Sequence, residues 1–334
     1  MKFIHSINHS LHNILEKDTG VIFYGEDLDD PYGGAFKASK GLSTKFPSRV
    51  ISTPISEAAI IGMSGGMSIG GLKPIVEIMF SDFLLLGADQ LLNHLVKYDW
   101  MYNNQVNCSV TIRTAIGGGR GYGPTHSQSI EPIIASIPGL QIISPCHYHD
   151  PGILLENCVF KDQGVTIFCE YKMNYTKSLV DENNCPEGIS VKYSNSIFPT
   201  AYLSNCEFET PDLSIISHGG NMILVEDLML ELLMEYEVNV NAVFPSVIKP
   251  LPISDIITGI KDCSVILVLE ESPKNFGWGS EVIAVLHEAS ILNDKRILRV
   301  GAKEQPIPSA VQLEKEILPS KAAVLSLLKE ELSI

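Results

Sequence analysis

An α/β fold of two successive units follows from three features of the sequence. Short apolar runs alternate with segments of helical periodicity, a pattern that builds a parallel sheet with helices on both faces. A polar stretch at 173–199, holding Asn183-Asn184, Pro186 and Gly188, breaks the alternation and reads as a linker. The length of 334 residues suits two domains. The expected division is a first domain over 1–180, a linker over 181–199 and a smaller α/β domain over 200–334.

In the first domain, Phe3, Ile7, Leu11 and Leu15 are spaced for a helix that Asp18-Thr19-Gly20 ends. Val21–Tyr24 is a short buried strand, and Gly25-Glu26-Asp27 opens a polar loop running through Gly33-Gly34. Val50–Thr53 is a second strand. After Pro54, the small residues Ala58, Ala59, Gly62, Ser64, Gly65 and Gly66 suit a helix that packs closely against a neighbour. Pro74–Met79 is a strand, followed by an expected helix from about Leu84 to Tyr102. Strands at Ser109–Arg113, Gln141–Ser144 and Val165–Glu170 alternate with further helices. In the second domain, strands at Leu213–Ser217, Val238–Val243, Val265–Leu269 and Ile297–Val300 alternate with helices at Met222–Tyr236, after Gly277 and at the C-terminus.

Composition narrows the function. Hydrophobic residues make up 45% and charged residues 19%, enough for packed cores and unlike a disordered chain. The net charge of −15 repels a nucleic-acid backbone. No stretch has the length and apolarity of a membrane span. The first twenty residues carry acidic side chains and no long apolar core, so they read as neither a signal nor a transit peptide. Seven scattered cysteines lack C-x-x-C pairing and read as reduced thiols. The expectation is a cytoplasmic protein with no membrane or nucleic-acid partner.

Few residues stand out chemically. Glu57 precedes the small-residue helix, where it serves either as a first-turn carboxylate on free backbone N–H groups or as a buried acid able to share a proton with a ring nitrogen. Gly117–Gly123 is either an anion cradle or a flexible connection, and it matches neither dinucleotide nor Walker patterns. His126, in Thr125-His126-Ser127-Gln128-Ser129, is a candidate acid/base group or an ordinary loop histidine. Phe83 is either core or a ring that stacks on a flat cofactor. His147 and His149 lack neighbours at ligand spacing and read as loop residues.

Taken in order, these pieces resemble one family. Gly25-Glu26-Asp27 with Tyr32-Gly33-Gly34-Ala35-Phe36 is similar to the opening motif of the beta subunits of thiamine-diphosphate-dependent 2-oxoacid dehydrogenase E1 components, of pyruvate and branched-chain type. Thr53-Pro54-Ile55-Ser56-Glu57, Lys73–Glu77 with Phe83 and Asp89-Gln90, and Gly117-Gly118-Gly119 through His126–Ser129 resemble later motifs of the same family. So do Pro138-Gly139-Leu140, Glu270-Glu271-Ser272 with Phe276–Glu281, Pro306-Ile307-Pro308 and Leu318-Pro319. The resemblance spans essentially the whole chain.

It implies a transketolase-like pyrimidine-binding domain followed by a transketolase C-terminal domain. It implies catalytic roles for Glu57 and His126, and cofactor-binding roles for Glu57, Phe83, Met79 and Glu26. The counterpart of Glu57 hydrogen-bonds the aminopyrimidine of thiamine diphosphate, that of Phe83 stacks on it, and that of His126 faces substrate and the incoming lipoyl group. The chain has no Gly-Asp-Gly motif. The cofactor is therefore expected to be shared with a separate alpha subunit, in a tetramer of two alpha and two beta chains, with Mg²⁺ ligated by that partner. The implied activity is oxidative decarboxylation of a 2-oxo acid with acyl transfer to a lipoyl carrier on a dihydrolipoyl acyltransferase core. Two other readings stand beside it: a subunit of a split transketolase-like carbon–carbon ligase that does not use lipoate, and a non-catalytic scaffold. The family arginine after the strand at 238–243 is absent, and Leu86 replaces a more usual polar or aromatic residue.

Overall fold

The computed structural model describes residues 1–162, 164–206, 210–332 and 334. The early elements are α1 (Phe3–Lys17), β1 (Val21–Gly25), α2 (Leu42–Lys45), β2 (Val50–Ser52), α3 (Glu57–Ile69), β3 (Lys73–Ile78), α4 (Ser81–Leu84), α5 (Tyr98–Met101) and β4 (Val110–Ile116). Then come α6 (Glu131–Ala135), β5 (Leu140–Ile143), α7 (Pro151–Phe160) and β6 (Val165–Tyr171). The later elements are β7 (Ser190–Tyr193), β8 (Thr200–Ser204), β9 (Leu213–Ile216), α8 (Met222–Tyr236), β10 (Val240–Pro245), β11 (Val247–Lys249), α9 (Ile253–Ile260), β12 (Val265–Pro273), α10 (Trp278–Glu288), β13 (Arg296–Ala302), α11 (Val311–Ile317) and α12 (Lys321–Leu332). The chain forms two compact units. One comprises Met1–Ile116, Ile133–Ile143 and Asp150–Leu179; the other comprises Gly117–Pro132, Ser144–His149 and Val180–Ile334.

In the first unit six strands lie in the order β2-β1-β3-β4-β6-β5, all parallel. The central strands β4 and β6 are buried along their whole length, as a sheet covered on both faces requires. Helix α1 buries the stripe Phe3, Ile7, Leu11 and Leu15 and packs on α7. Helix α7 starts at Pro151 and is capped by Asp150, whose side chain accepts from the N–H groups of Gly152 and Ile153.

The expected single helix from Leu84 to Tyr102 is instead a series of short turns. After α4 come tight turns at Leu85–Gly87 and Leu95–Lys97, with a widened turn at Gln90–His94 between them. The cause is close approach to α3. A Cβ on Gly87 would lie 2.3 Å from Ile61 Cδ1, and one on Gly65 2.8 Å from the Tyr98 ring. The chain re-winds to follow the small-residue face of α3 rather than its own periodicity.

Gly25 ends β1 where β3 runs closest. A Cβ there would lie 2.4 Å from the Glu77 carbonyl oxygen, a backbone atom that cannot step aside. Gly25→Ala is therefore expected to cost about 1–3 kcal/mol, read as a lower urea midpoint at unchanged slope.

The second unit carries a sheet in the order β13-β12-β9-β10-β8-β7. Its first four strands are parallel, but β8 pairs antiparallel with β10 and with β7. Strand β7 lies within the polar stretch 181–199. Helices α8 and α12 cover one face, burying Val225, Leu228, Leu232, Val324 and Leu328 against Ala242 and Leu267. Helix α9 covers the other through Gly259, whose Cβ position lies 2.3 Å from Val243.

His149 is buried in this unit. The Cys146 backbone N–H donates to its Nδ1 at 3.1 Å, which requires that nitrogen to be an acceptor and the ring to be neutral. Burial pushes its pKa down to about 3 from 6.5. The unfolded chain takes up this proton near pH 6.5 and the folded chain only near 3, so stability falls as pH drops through that window. The expected loss is on the order of 5 kcal/mol across it. Comparing urea midpoints at pH 7 and pH 5 tests this. Equal midpoints, or the same drop in a His149→Leu variant, would count against it.

Candidate active site

In open parallel sheets ligands bind beyond the carboxyl ends of the strands, and most of the candidate residues gather there in the first unit. Glu26 follows β1, Met79 follows β3, and Glu57 is the first residue of α3. Glu57 is 7% exposed, and Ser56 before it makes no side-chain cap. Glu26 is 9% exposed, and its buried Oε1 has no hydrogen-bond partner among the described residues. Burial raises the Glu26 pKa, and the neighbouring charges of Glu57 and then Asp27 raise it further. Two acids are thus held near each other, with one oxygen unsatisfied among the described residues, an arrangement that costs stability.

Behind them lies an ion network absent from the sequence-based candidates. Arg113, on β4, donates Nε–H to Glu170 Oε1 at 2.7 Å and Nη2–H to Glu170 Oε2 at 3.0 Å. Its Nη1–H reaches Glu77 Oε2 at 2.8 Å, and the Tyr175 hydroxyl donates to Glu170 Oε2 at 2.9 Å. Burial opposes the Arg113 charge, but Glu170 and Glu77 outweigh it and raise its pKa. Burial raises the Glu77 pKa against the pull of Arg113. A cavity of about 10 Å³, the size of one water, is lined by these groups together with Met79 and Phe36. The network was detectable in the strands: Glu77 is paired in register with Arg113, and Arg113 with Phe168, two residues from Glu170 on the same face. Three charges inside apolar runs require one another.

Phe83 stands edge-on to Phe80, with centroids 6.2 Å apart, and Phe80 is edge-on to Phe36 at 5.6 Å. It is half-buried on α4.

Residues 1–177 match the family model of the transketolase pyrimidine binding domain, and residues 205–324 that of the transketolase C-terminal domain. The beta subunit of the mitochondrial pyruvate dehydrogenase E1 component of Saccharomyces cerevisiae is 30% identical over 98% of this chain and 88% of its own. The chain belongs to the transketolase-like family of E1 beta subunits. The beta subunit of Bacillus subtilis 2-oxoisovalerate dehydrogenase is 29% identical over 99% of this chain and 98% of its own. A split gene transketolase, solved as an inactive beta4 tetramer, has the same fold, with a TM-score of 0.74 at 16% identity over 98% of this chain and 97% of that one.

The remaining residue of this E1 beta-family chain singled out from sequence, His126, lies in the other unit. Its Nδ1 is 2.9 Å from the Thr125 hydroxyl. The glycine loop before it is not an open anion cradle. Gly118 N–H donates to Glu271 Oε1 at 2.7 Å, and Gly119 and Gly121 donate to Glu314 Oε1 and Oε2 at 2.9 and 2.8 Å. The chain's own carboxylates occupy the place of an outside anion. Among the described residues no helix is long and apolar enough to cross a membrane.

Proposed function

We propose that this chain is the beta subunit of a thiamine-diphosphate-dependent 2-oxoacid dehydrogenase, active with a separate alpha subunit and passing its acyl group to the lipoyl carrier of an acyltransferase core. The observation that carries the reading is the buried pair Glu26 and Glu57, with Glu26 Oε1 lacking a partner among the described residues. An aminopyrimidine brings N–H donors and a ring nitrogen that takes a proton, which suits this pair. Glu57 and Glu26 would hold that ring, with Phe83 and Met79 as its apolar walls.

Thiamine diphosphate, when bound, supplies the electron sink that lets a 2-oxo acid lose CO₂. This chain's own part is to orient and protonate. Glu57, buried among apolar and small residues of α3, binds a protonated ring nitrogen more strongly than an exposed acid would. Glu26, its pKa raised by burial and then by Glu57, lies alongside as a second acid for the ring's donors. His126 serves the acyl-transfer end of the reaction as acid/base group. The chain has no Gly-Asp-Gly. The reading accordingly gives Mg²⁺ and the diphosphate to the alpha subunit. The reading assigns the pyrimidine-binding role to about residues 1–180 and the C-terminal domain to 200–334, with 181–199 between them as a linker. All seven cysteines are free, which suits the reducing cytoplasm proposed as its compartment.

The test is turnover of pyruvate and 3-methyl-2-oxobutanoate by the chain co-purified with its alpha partner, with a dye as electron acceptor. Turnover that requires both chains and the cofactor supports the reading. A complex that binds cofactor but turns over neither acid would shift it to the lipoate-independent ligase.

A further inference from the structure

The loop that carries His126 is tied at its base and along one arm by two acidic side chains that are distant in sequence. Glu271 Oε1 accepts from Gly118 N–H at 2.7 Å and from the Ser129 hydroxyl at 2.8 Å. One oxygen therefore closes the loop from Gly118 to Ser129, at its entry and its exit. Gly117 N–H also donates to the Gln128 carbonyl. Higher on the entering arm, the two oxygens of Glu314 take Gly119 and Gly121 N–H separately. Glu314 is 1% exposed and is carried by α11.

The loop backbone is shaped for this clamp. Gly117, Gly119, Gly121 and Gly123 all have positive φ, at 85°, 90°, 69° and 81°, which glycine alone adopts without strain. A Cβ on Gly118 would lie 2.7 Å from Leu318 and 3.2 Å from Glu314 Oε1. Charge-assisted bonds from backbone N–H to carboxylate are stronger than neutral ones, and here they fix a segment that glycine would otherwise leave free.

We propose that Glu271 and Glu314 are positioning residues for His126: they hold the loop so that the imidazole is presented in one place, and neither touches substrate. The inference rests on the reading of His126 given above. Displacing a catalytic group by about 1 Å costs about 10²-fold in rate, so Glu271→Ala and Glu314→Ala should each lower kcat by about that factor in the assembled complex. A conservative variant at Glu314 should fare no better than alanine. The two bonds to Glu314 use different oxygens, so Glu314→Gln turns an N–H₂ towards a backbone N–H and should behave like the alanine variant.

The test is a double-mutant cycle of Glu271→Ala with His126→Ala, read as pyruvate turnover by the complex, together with amide exchange of the loop. Exchange of Gly118, Gly119 and Gly121 should speed up in both alanine variants and stay unchanged in His126→Ala, a readout independent of turnover. A double variant no slower than His126→Ala alone supports positioning. Losses that multiply, or loop exchange that does not change, overturn it. Full turnover by Glu271→Ala while His126→Ala is impaired overturns the clamp and leaves the function standing. Full turnover by His126→Ala removes the role of His126 itself, and the inference falls with it. Should Glu271→Ala fail to fold, Ser129→Ala cuts the exit tie alone and is expected to reproduce part of the loss; unchanged turnover and exchange in Ser129→Ala would overturn the inference.

Discussion

Glu57→Gln is expected to lower 2-oxo acid turnover by about 10²- to 10⁴-fold, the range for removing a positioned proton-transfer group. The variant is isosteric and leaves the start of α3 intact. It also removes the charge that helps to raise the Glu26 pKa, so the fold should be as stable as before or more so. Lower activity without lower stability separates a functional carboxylate from a helix-end one. A first-turn acid acting only on free backbone N–H groups would behave oppositely: its neutralisation would cost up to about 1 kcal/mol and leave turnover alone. Measuring both turnover of the complex and the urea midpoint distinguishes the two. Undiminished turnover would end the catalytic reading of Glu57.

Arg113→Met is expected to give the largest loss of stability in the first unit, about 3–5 kcal/mol, because it leaves two carboxylates buried and unpaired. Arg113 is 2% exposed, and its partners Glu170 and Glu77 have side chains 1% and 12% exposed. Neutralising the partners as well should recover part of the loss, since a buried network replaced as a whole is often tolerated. Arg113→Met with Glu77→Gln and Glu170→Gln should therefore unfold at higher urea than Arg113→Met alone. If the triple variant is the weaker one, the cost lies in lost packing or hydrogen bonds rather than in stranded charge.

Helix α1 and the parallel strands could be read from the sequence because each buries a regular stripe or run: Phe3, Ile7, Leu11 and Leu15 on α1, and the whole of β4 and β6. The region after β3 could not, because its path is set by contact with α3 at Gly87 and Gly65, not by local periodicity. Strands β7 and β8 were hidden by shortness: each gives the core only one or two buried apolar residues, Val191 on β7 and Ala201 and Leu203 on β8. Glu57 was visible as an acid before a small-residue helix, whereas its neighbour Glu26 could be tied to the site only through the family resemblance. The glycine loop was legible as a place where N–H groups converge. What fills it was not, since Glu271 and Glu314 lie 153 and 195 residues away from the glycines they bind. Such partners emerge only from tertiary folding.

The central claim is that the cofactor site is shared between two chains, with this one supplying the pyrimidine half. Calorimetric titration of thiamine diphosphate with Mg²⁺ into the alpha–beta complex, and into each chain alone, tests it most directly. Binding by the complex and by neither chain alone is the expected result. Tight binding by this chain alone would contradict it.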